Sequence, residues 1–243
     1  MKKSLLHFGN RLYYVCYPVY SPLYTIYKVF SDRSERKFFR YVIKPGMNVV
    51  DVGSNIGIYT KYFSKLVGDL GSVHSFEPDP LNFKRLKENS RKFVNASLNH
   101  AAVGESNGTI KLYISDKLNV DHRTFDSGDG RRSIDVPVIA LDSYFSPGQR
   151  VDFVKIDVQG FEWSVFQGAK RILTENKNIK ILMEYWPWGL KKASSDHLSL
   201  IEFIESLGFN IFKISKKGIE KFNIDIDLDV ENENDYINLI IYR

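Results

Sequence analysis

One stretch of the chain constrains its fold more than any other: residues 48–57, which read NVVDVGSNIG. A β-branched run ends in an acidic residue, a turn containing glycine follows, and an apolar-periodic helix begins at Ile56. A second predicted strand, residues 72–76, leads directly into Glu77. This order places a ligand at a helix N-terminus and a carboxylate where it can accept hydrogen bonds from ribose hydroxyls. The chain is therefore predicted to bind a cofactor that contains adenosine.

Two cofactors fit this general pattern, and the residues of the turn favour one of them. A dinucleotide site uses G-x-G-x-x-G because a pyrophosphate lies against the backbone, and here Asn55 replaces the second glycine. Asp51 is a poor neighbour for a pyrophosphate, but it attracts the ammonium and sulfonium of S-adenosylmethionine. Gly53 and Gly57 alone could simply serve a tight turn and close helix packing. S-adenosylmethionine is the predicted cofactor, and a nicotinamide-dependent oxidoreductase is the alternative.

Length and composition indicate one well-buried domain. The chain has 243 residues, of which 43% are hydrophobic, which is enough for a single α/β core. The single cysteine, Cys16, excludes a disulfide framework and indicates a reducing compartment. No apolar run typical of a signal peptide follows Met1. We therefore expect a cytoplasmic protein.

The N-terminal segment, residues 1–44, is basic and rich in tyrosine. It holds nine Lys and Arg but two acidic residues, whereas the whole chain has a net charge of +5. Five tyrosines share one helical face: Tyr13, Tyr17, Tyr20, Tyr24 and Tyr27. This face is predicted to pack on the domain, with peripheral membrane contact as the alternative. The apolar run is too short, and too broken by proline, to span a bilayer.

Beyond residue 44 the pattern predicts strands that alternate with helices. Strands are predicted at 48–52, 72–76, 98–103, 151–157, 179–184, 210–214 and 236–242, and helices at 34–41, 56–67, 80–93, 162–173 and 198–207. Two extra β segments, 109–114 and 134–140, flank a polar loop at 115–133. The prediction is an α/β fold with a doubly wound, mostly parallel sheet. Residues 1–44 form a helical extension, and 45–243 form one Rossmann-like domain.

In such sheets the ligand lies outside the carboxyl ends of the strands, so polar residues at those ends are candidates for chemistry. Asp157 and Glu184 follow two further predicted strands. His122, in the polar loop, suits a general base near neutral pH. Trp186, just after Glu184, offers an aromatic surface for a sugar ring. The sequence shows no motif typical of RNA binding, so nucleic acid is not a predicted partner.

Three segments together carry a family resemblance. DVGSNIG at 51–57, FEPDP at 76–80 and VDFVKIDVQGFE at 151–162 resemble the FkbM family of S-adenosylmethionine-dependent methyltransferases. The resemblance covers roughly residues 45–215. It implies a class I methyltransferase fold with a seven-stranded sheet. It also implies O-methylation, commonly of a sugar or polyketide-type hydroxyl, so the expected partner is a glycan or other small-molecule acceptor.

The resemblance also implies roles for particular residues. The predicted cofactor-binding residues are Asp51, Gly53, Ser54, Asn55, Gly57, Glu77, Pro78 and Ala102. Asp157 and His122 are the predicted catalytic residues, with His122 as the base that accepts the acceptor's proton. Arg123, Glu184 and Trp186 are predicted to contact the acceptor, because a subset of the family shares Asp-His-Arg and Glu-x-Trp-Pro at these places. Gln159 departs from the commoner glutamate, and no metal is predicted.

The remaining alternative is a non-catalytic, membrane-associated binding module that would use the basic N-terminal segment as its working surface. It makes no use of the carboxylates at the strand ends, so binding of S-adenosylmethionine would count against it.

Overall fold

The computed structural model describes residues 2–116, 118–215 and 218–243. Its helices are α1 (Lys2–Val15), α2 (Tyr17–Ser31), α3 (Arg33–Val42), α4 (Ile58–Val67), α5 (Pro80–Ser90), α6 (Leu141–Tyr144), α7 (Glu162–Gln167), α8 (Lys170–Glu175), α9 (Pro187–Lys192), α10 (His197–Ser206) and α11 (Ile224–Asp227). Its strands are β1 (Asn48–Val52), β2 (Ser72–Phe76), β3 (Ala96–Asn99), β4 (Ala102–Val103), β5 (Gly108–Tyr113), β6 (Ser133–Ile139), β7 (Phe153–Ile156), β8 (Lys180–Tyr185), β9 (Asn210–Ser215), β10 (Gly218–Lys221) and β11 (Ile237–Tyr242).

Eight of these strands form one large sheet in the order β10-β9-β11-β8-β7-β1-β2-β3. The strands from β8 to β3 run parallel, whereas β11 lies antiparallel between β8 and β9. The order reverses direction at β1, which has β7 on one side and β2 on the other. Ligands bind at such a switch point in open α/β sheets, so the fold directs attention to the end of β1.

The sheet is covered on both faces, which is why its central strands β1 and β7 are mostly apolar, with Asp51 and Lys155 as buried exceptions. Side chains alternate along β1, so that Val49 joins the core under α3 and α4 while Val50 joins the core under α7, α8 and α10. On the first face, the Phe39 ring packs edge-on against Phe63 at 5.0 Å and against Phe153 at 5.7 Å. The doubly wound, mostly parallel α/β sheet expected from the sequence is confirmed.

The tyrosine face of the N-terminal helices packs on the domain, as the sequence predicts. Tyr13, Tyr17 and Tyr20 are buried in a cluster with Ile56 and Ile58 at the start of α4. Their hydroxyl groups are also hydrogen-bonded. The Tyr13 hydroxyl donates to the Asn82 side chain at 2.6 Å, the Tyr17 hydroxyl accepts from Asn89 at 2.6 Å, and the Tyr20 hydroxyl donates to Asn119 at 3.3 Å.

The structure differs from the sequence predictions at three places. The predicted strand at 98–103 is two strands, because β3 pairs with β2 whereas β4 pairs with β6 in a separate three-stranded sheet. The predicted helix at 162–173 breaks into α7 and α8, since the Asp142 carboxylate accepts the N–H groups of Arg171 and Ile172 and so caps a new helix start. The large sheet has one strand more than the seven expected, because β10 forms a hairpin with β9.

Within the described ranges, no helix is both long enough and apolar enough to cross a membrane.

Gly53, directly after β1, is required by two separate constraints. Its φ is +76°, a conformation that L side chains rarely adopt. A Cβ at this position would also lie 1.9 Å from the main-chain carbonyl oxygen of Asp157. Only glycine lets the turn after β1 approach the end of β7 this closely.

Comparison with Gly128 separates the two constraints, because Gly128 has a φ of +71° but open space around its Cβ position. Gly128→Ala should lower the free energy of unfolding by about 1–2 kcal/mol, the conformational cost alone. Gly53→Ala should lower it by a further 1–3 kcal/mol or so, because main-chain overpacking is added. Urea unfolding of both variants measures the difference. Equal losses would show that the close approach to Asp157 is not restrictive.

Candidate active site

A cavity of about 560 Å³ opens where β1, β2, β7 and β8 end. It is large enough for a nucleoside-sized ligand, since small-molecule sites span roughly 300–1,000 Å³. Most of the predicted site residues line it, namely Gly53, Ser54, Asn55, Glu77, Pro78, Ala102, His122, Arg123, Asp157, Glu184 and Trp186. The structure therefore brings together residues that are spread over more than half of the chain.

The turn after β1 is held open by main-chain hydrogen bonds. The N–H groups of Gly53 and Ser54 both donate to the Phe76 carbonyl oxygen, at 3.0 and 2.9 Å. Asn55 has a φ of +48°, and its N–H donates to Glu77 Oε2 at 2.7 Å. This conformation turns the main chain of residues 53–55 along the cavity wall and links it to the carboxylate after β2.

Glu77 is positioned as a ligand for a ribose diol. Its Oε1 accepts the Asp79 N–H at 2.9 Å and its Oε2 accepts that of Asn55, so each oxygen retains one lone pair. The side chain is 5% exposed, and burial, aided by the charge of Asp79, raises its pKa to about 8. Hydrogen bonds from two hydroxyl groups would favour the ionised carboxylate. Glu77 therefore fits the role that the sequence predicts.

Asp51 and Gly57 lie near the cavity but are not among its lining residues. Asp51 is fully buried inside the sheet, where it accepts the Thr60 hydroxyl at 2.8 Å and lies 3.8 Å from Lys155 Nζ. Burial raises its pKa. Gly57 caps the start of α4. Both residues therefore lie outside the cavity wall, Asp51 inside the sheet and Gly57 at the start of α4, and their predicted contact with the cofactor stays a prediction.

Two carboxyl groups meet at the ends of β7 and β8. The Gln159 amide donates to Glu184 Oε1 at 2.7 Å and to Asp157 Oδ1 at 3.4 Å, so it bridges them. Lys155 Nζ donates to Asp157 Oδ2 at 3.2 Å. Lys155 stands two residues before Asp157 and so projects to the same side of β7. This spacing is a signal of the site residue Lys155 that the sequence analysis overlooked.

The two carboxyl groups have opposite preferences for the proton. Burial raises the pKa of Asp157, but the charges of Lys155 and Lys28 outweigh it, and the net pKa is below its ordinary value. Burial and the neighbouring Asp157 raise the pKa of Glu184 to about 8. Asp157 is therefore ionised at neutral pH, while Glu184 loses its proton at a pH slightly above neutral. Neighbouring carboxyl groups whose pKa values are shifted in opposite directions are typical of active sites.

His122 lines the cavity, but its ring does not fit the predicted role of general base. Its Nδ1 accepts the Ser115 N–H at 3.0 Å, so a neutral ring carries its proton on Nε2, which lies 3.9 Å from Asp79 Oδ2. Burial lowers the pKa of the ring and keeps it neutral at pH 7. Neither nitrogen of His122 then offers a free lone pair to an acceptor hydroxyl.

Arg123 is held by its neighbours. Its Nε donates to Asp121 at 2.8 Å and one terminal nitrogen donates to Glu233 at 3.3 Å. Its guanidinium group lies 5.0 Å from the centre of the Trp186 ring and 5.5 Å from that of Trp188. The side chain is 5% exposed. Arg123 therefore packs against both tryptophan rings as well as lining the cavity.

Helix α2 closes one side of the cavity with three residues that the sequence analysis did not assign to the site. Tyr24, Tyr27 and Lys28 all line it. Lys28 forms an ion pair with Asp32, which raises its pKa although burial opposes the charge. Lys28 follows Tyr24 by four residues, so the two share a helix face. That spacing could have placed Lys28 at the site.

Asn119 joins the polar loop to the turn and to the N-terminal helices. Its carbonyl oxygen accepts the side-chain amides of Asn55 and Asn82, both at 3.0 Å, and its own N–H donates to Asn10 at 2.9 Å. Its amide nitrogen is buried and has no hydrogen-bond partner among the described residues. Asn119 and Glu77 both line the cavity, so this donor and the carboxylate are two polar groups available to a polar ligand.

No group of three or more His, Cys, Asp or Glu side chains in the described part of the chain is arranged to hold a metal ion. The absence of a metal stays a prediction.

Comparison with known proteins gives one family. Residues 51–211 match the family profile described as the Methyltransferase FkbM domain. The chain is 28% identical over 208 residues to the 2-O-methyltransferase NoeI of Sinorhizobium fredii, covering 78% of this chain and 83% of NoeI. It is 27% identical over 155 residues to the hexuronic acid methyltransferase AglP of Haloferax volcanii, covering 61% of this chain and 62% of AglP.

Among solved structures, the fold is similar to that of the methyltransferase FkbM from Methylobacillus flagellatus. The TM-score is 0.53 at 18% identity, and the match covers 85% of this chain. The chain spans half of the length of that protein. At this identity the likeness supports the fold, and it agrees with the class I architecture described above.

Glu77→Gln tests the predicted ribose contact. We expect S-adenosylhomocysteine to bind the variant about 10- to 100-fold more weakly, because a hydrogen bond to a charged group contributes roughly 1.5–3 kcal/mol. Wild-type affinity should also rise from pH 6.5 to pH 9, since the ligand favours a carboxylate whose pKa is about 8 in the free protein. Calorimetric titration measures both effects.

The matched control is Glu88→Gln, an exposed glutamate on α5 that pairs with Arg85. It should leave affinity and its pH dependence unchanged. A Glu77→Gln variant that binds as tightly as the wild type would remove Glu77 from the cofactor site.

Proposed function

The chain belongs to the FkbM family of methyltransferases, and from this premise we propose that it methylates a hydroxyl group of a carbohydrate acceptor. The methyltransferase prediction is confirmed by the family, which sets aside the nicotinamide-dependent oxidoreductase and the non-catalytic binding module. S-adenosylmethionine is the cofactor. When bound, it supplies an electrophilic methyl group on a sulfonium centre.

The observation that carries the proposal is the carboxyl pair in the cofactor cavity. Asp157 and Glu184 lie at the ends of adjacent strands and are bridged by Gln159. A hydroxyl group is a weak nucleophile that must be positioned and must lose a proton, and this pair can do both. The pair lines the same cavity as the Gly53 turn and Glu77.

The cofactor would be held from both sides of the switch point. The main chain of residues 53–55 faces it, and Glu77 receives the two ribose hydroxyl groups. The ionised Asp157 attracts the cationic methionine end, as the predicted Asp51 would have done from the sequence alone. Asp51 contributes from beneath, through Lys155 and Thr60.

Glu184 is the proposed proton acceptor, in place of His122. With a pKa of about 8, its carboxylate is basic enough to take a proton from an alcohol as the oxygen–carbon bond forms. Gln159 holds Glu184 Oε1, which leaves Oε2 for the acceptor hydroxyl. His122 keeps a structural role, in which it accepts the Ser115 N–H and so shapes the polar loop.

One aromatic residue of the cavity supports a carbohydrate acceptor. Trp186 lines the cavity and is backed by Trp188, whose ring lies 5.2 Å away and which is not a lining residue. An aromatic side chain beside the carboxyl groups of Asp157 and Glu184 suits a ligand with both C–H and hydroxyl surface. The names of the two relatives, a 2-O-methyltransferase and a hexuronic acid methyltransferase, point to the same class of acceptor.

The test of the proposed function is transfer of a labelled methyl group from S-adenosylmethionine to oligosaccharides that contain a hexuronic acid, and to matched neutral oligosaccharides. Methylation of a hydroxyl gives an ether that survives mild alkali, whereas methylation of the acid group gives an ester that does not. An alkali-stable product supports the proposal. An alkali-labile product, or transfer only to acceptors that are not carbohydrates, would contradict it.

Glu184→Gln tests the proton acceptor. We expect kcat/KM to fall by about 10²- to 10⁴-fold, the usual contribution of a general base, with little change in S-adenosylhomocysteine affinity. At saturating S-adenosylmethionine, which removes the pH dependence that Glu77 gives to cofactor binding, the wild-type kcat/KM for the acceptor should rise with pH through about 8 and level off above it, because Glu184 must be ionised to accept the proton. Steady-state kinetics from pH 6 to pH 9.5 measures the profile.

Glu205→Gln, an exposed glutamate on α10, is the matched control and should behave like the wild type. His122→Ala is the competing variant. If His122→Ala abolishes the pH dependence while Glu184→Gln retains it, His122 is the base and the assignment to Glu184 is wrong.

A further inference from the structure

Helix α2 has two apolar faces, of which the fold buries one. Tyr17, Tyr20 and Tyr24 turn inward to the domain and the cavity. About 120° around the helix from them lies a second apolar stripe at the spacing 4, 3, 4, formed by Val19, Leu23, Ile26 and Phe30. A helix in a globular protein normally buries one stripe and exposes polar residues elsewhere. The second stripe therefore has no role in the packing of this chain.

The outer stripe is open to solvent along its whole length. Val19 is 46% exposed, Leu23 is 54%, Ile26 is 55% and Phe30 is 76%. Val15, at the end of α1, is 76% exposed. Scattered single apolar residues on a surface are normal, whereas a continuous stripe marks an interaction site.

The adjoining helix supplies charge of one sign. Asp32 joins α2 to α3, and the exposed side chains of α3 are basic apart from Tyr41 and Ser34. These basic residues are Arg33, Lys37 and Arg40, and Lys44 follows just after the helix. Tyr41 is itself 76% exposed. An exposed apolar helix face that is followed along the chain by exposed basic and aromatic side chains is typical of a segment that lies in a membrane interface.

We propose that the outer face of α2, with the basic side chains of α3, docks this enzyme on an anionic lipid bilayer. Charge distinguishes this partner from a second copy of the chain, because a symmetric contact would bring two equally basic segments together. Residues 1–44 contain nine Lys and Arg and two acidic residues, and basic residues near an anionic surface add to binding.

The proposed surface is coupled to the active site by position. The inner face of the same helix lines the cavity through Tyr24, Tyr27 and Lys28. A bilayer that contacts Leu23 and Ile26 would therefore lie one helix diameter from the cavity. Acceptor molecules held at the lipid surface would be presented to the carboxyl pair without leaving it.

Co-sedimentation of the full chain with vesicles tests the proposal without using methyl transfer. We expect binding to phosphatidylglycerol vesicles, weaker binding to phosphatidylcholine vesicles, and loss of the difference at high salt, because salt screens the basic residues. The double variant Leu23→Glu with Ile26→Glu should bind phosphatidylglycerol vesicles about tenfold or more weakly, since it puts two charges into the apolar stripe. Neither residue lines the cavity.

Leu70→Glu with Val94→Glu is the matched control, because these residues are 91% and 97% exposed in loops outside α2. It should sediment like the wild type, and thermal unfolding should show both double variants to be folded. Wild-type protein that stays in the supernatant with phosphatidylglycerol would overturn the proposal. So would a stripe variant that sediments normally, or a concentration-dependent dimer that the stripe variant alone abolishes.

Discussion

The close approach of the turn after β1 to the end of β7 is the constraint on which the active site depends. Gly53 reaches the Asp157 carbonyl so closely that no side chain fits between them. This contact brings the turn after β1 next to Asp157, whose side chain is joined through Gln159 to Glu184. Group transfer requires the donor and the acceptor to lie within a few ångströms of each other. Gly53 allows the ends of the parallel strands β1 and β7 to approach closely enough for this.

Two lysines set the charge balance around this contact. Lys155 lies between Asp51 inside the sheet and Asp157 at the cavity, and its pKa is raised by both although burial opposes its charge. Lys28 adds to the positive charge that acts on Asp157, but it is itself paired with Asp32. Asp157 therefore remains ionised, while Asp51 and Glu184 have raised pKa values. The difference between the two cavity carboxyl groups follows from which of them contacts Lys155.

Much of the fold could be predicted from sequence, because strand-turn-helix patterns are local, and most of the predicted cofactor residues line one cavity while their roles stay predictions. Residues 48–52 and 72–76 are strands as predicted, and the turn and Glu77 line one cavity. What failed depends on contacts distant in sequence. The break at Gly168 requires Asp142, and the separation of β3 from β4 requires β6. For His122 the fold adds a local contact, in which its Nδ1 accepts the N–H of the nearby Ser115, and its role as a base stays a prediction with Glu184 as the proposed alternative.

The hydrogen bonds of Asn119 bear on where the catalytic unit begins. This one residue connects the polar loop to Asn10 in α1, to Tyr20 in α2 and to Asn55 in the cofactor turn. Helices α1 and α2 therefore hold the polar loop in place beside the cavity, even though the family profile begins at residue 51. An excision made at that profile boundary would not isolate a minimal enzyme. It would remove the hydrogen bonds that join Asn119 of the polar loop to Asn10 and Tyr20. The functional module of this chain is therefore larger than its homology domain.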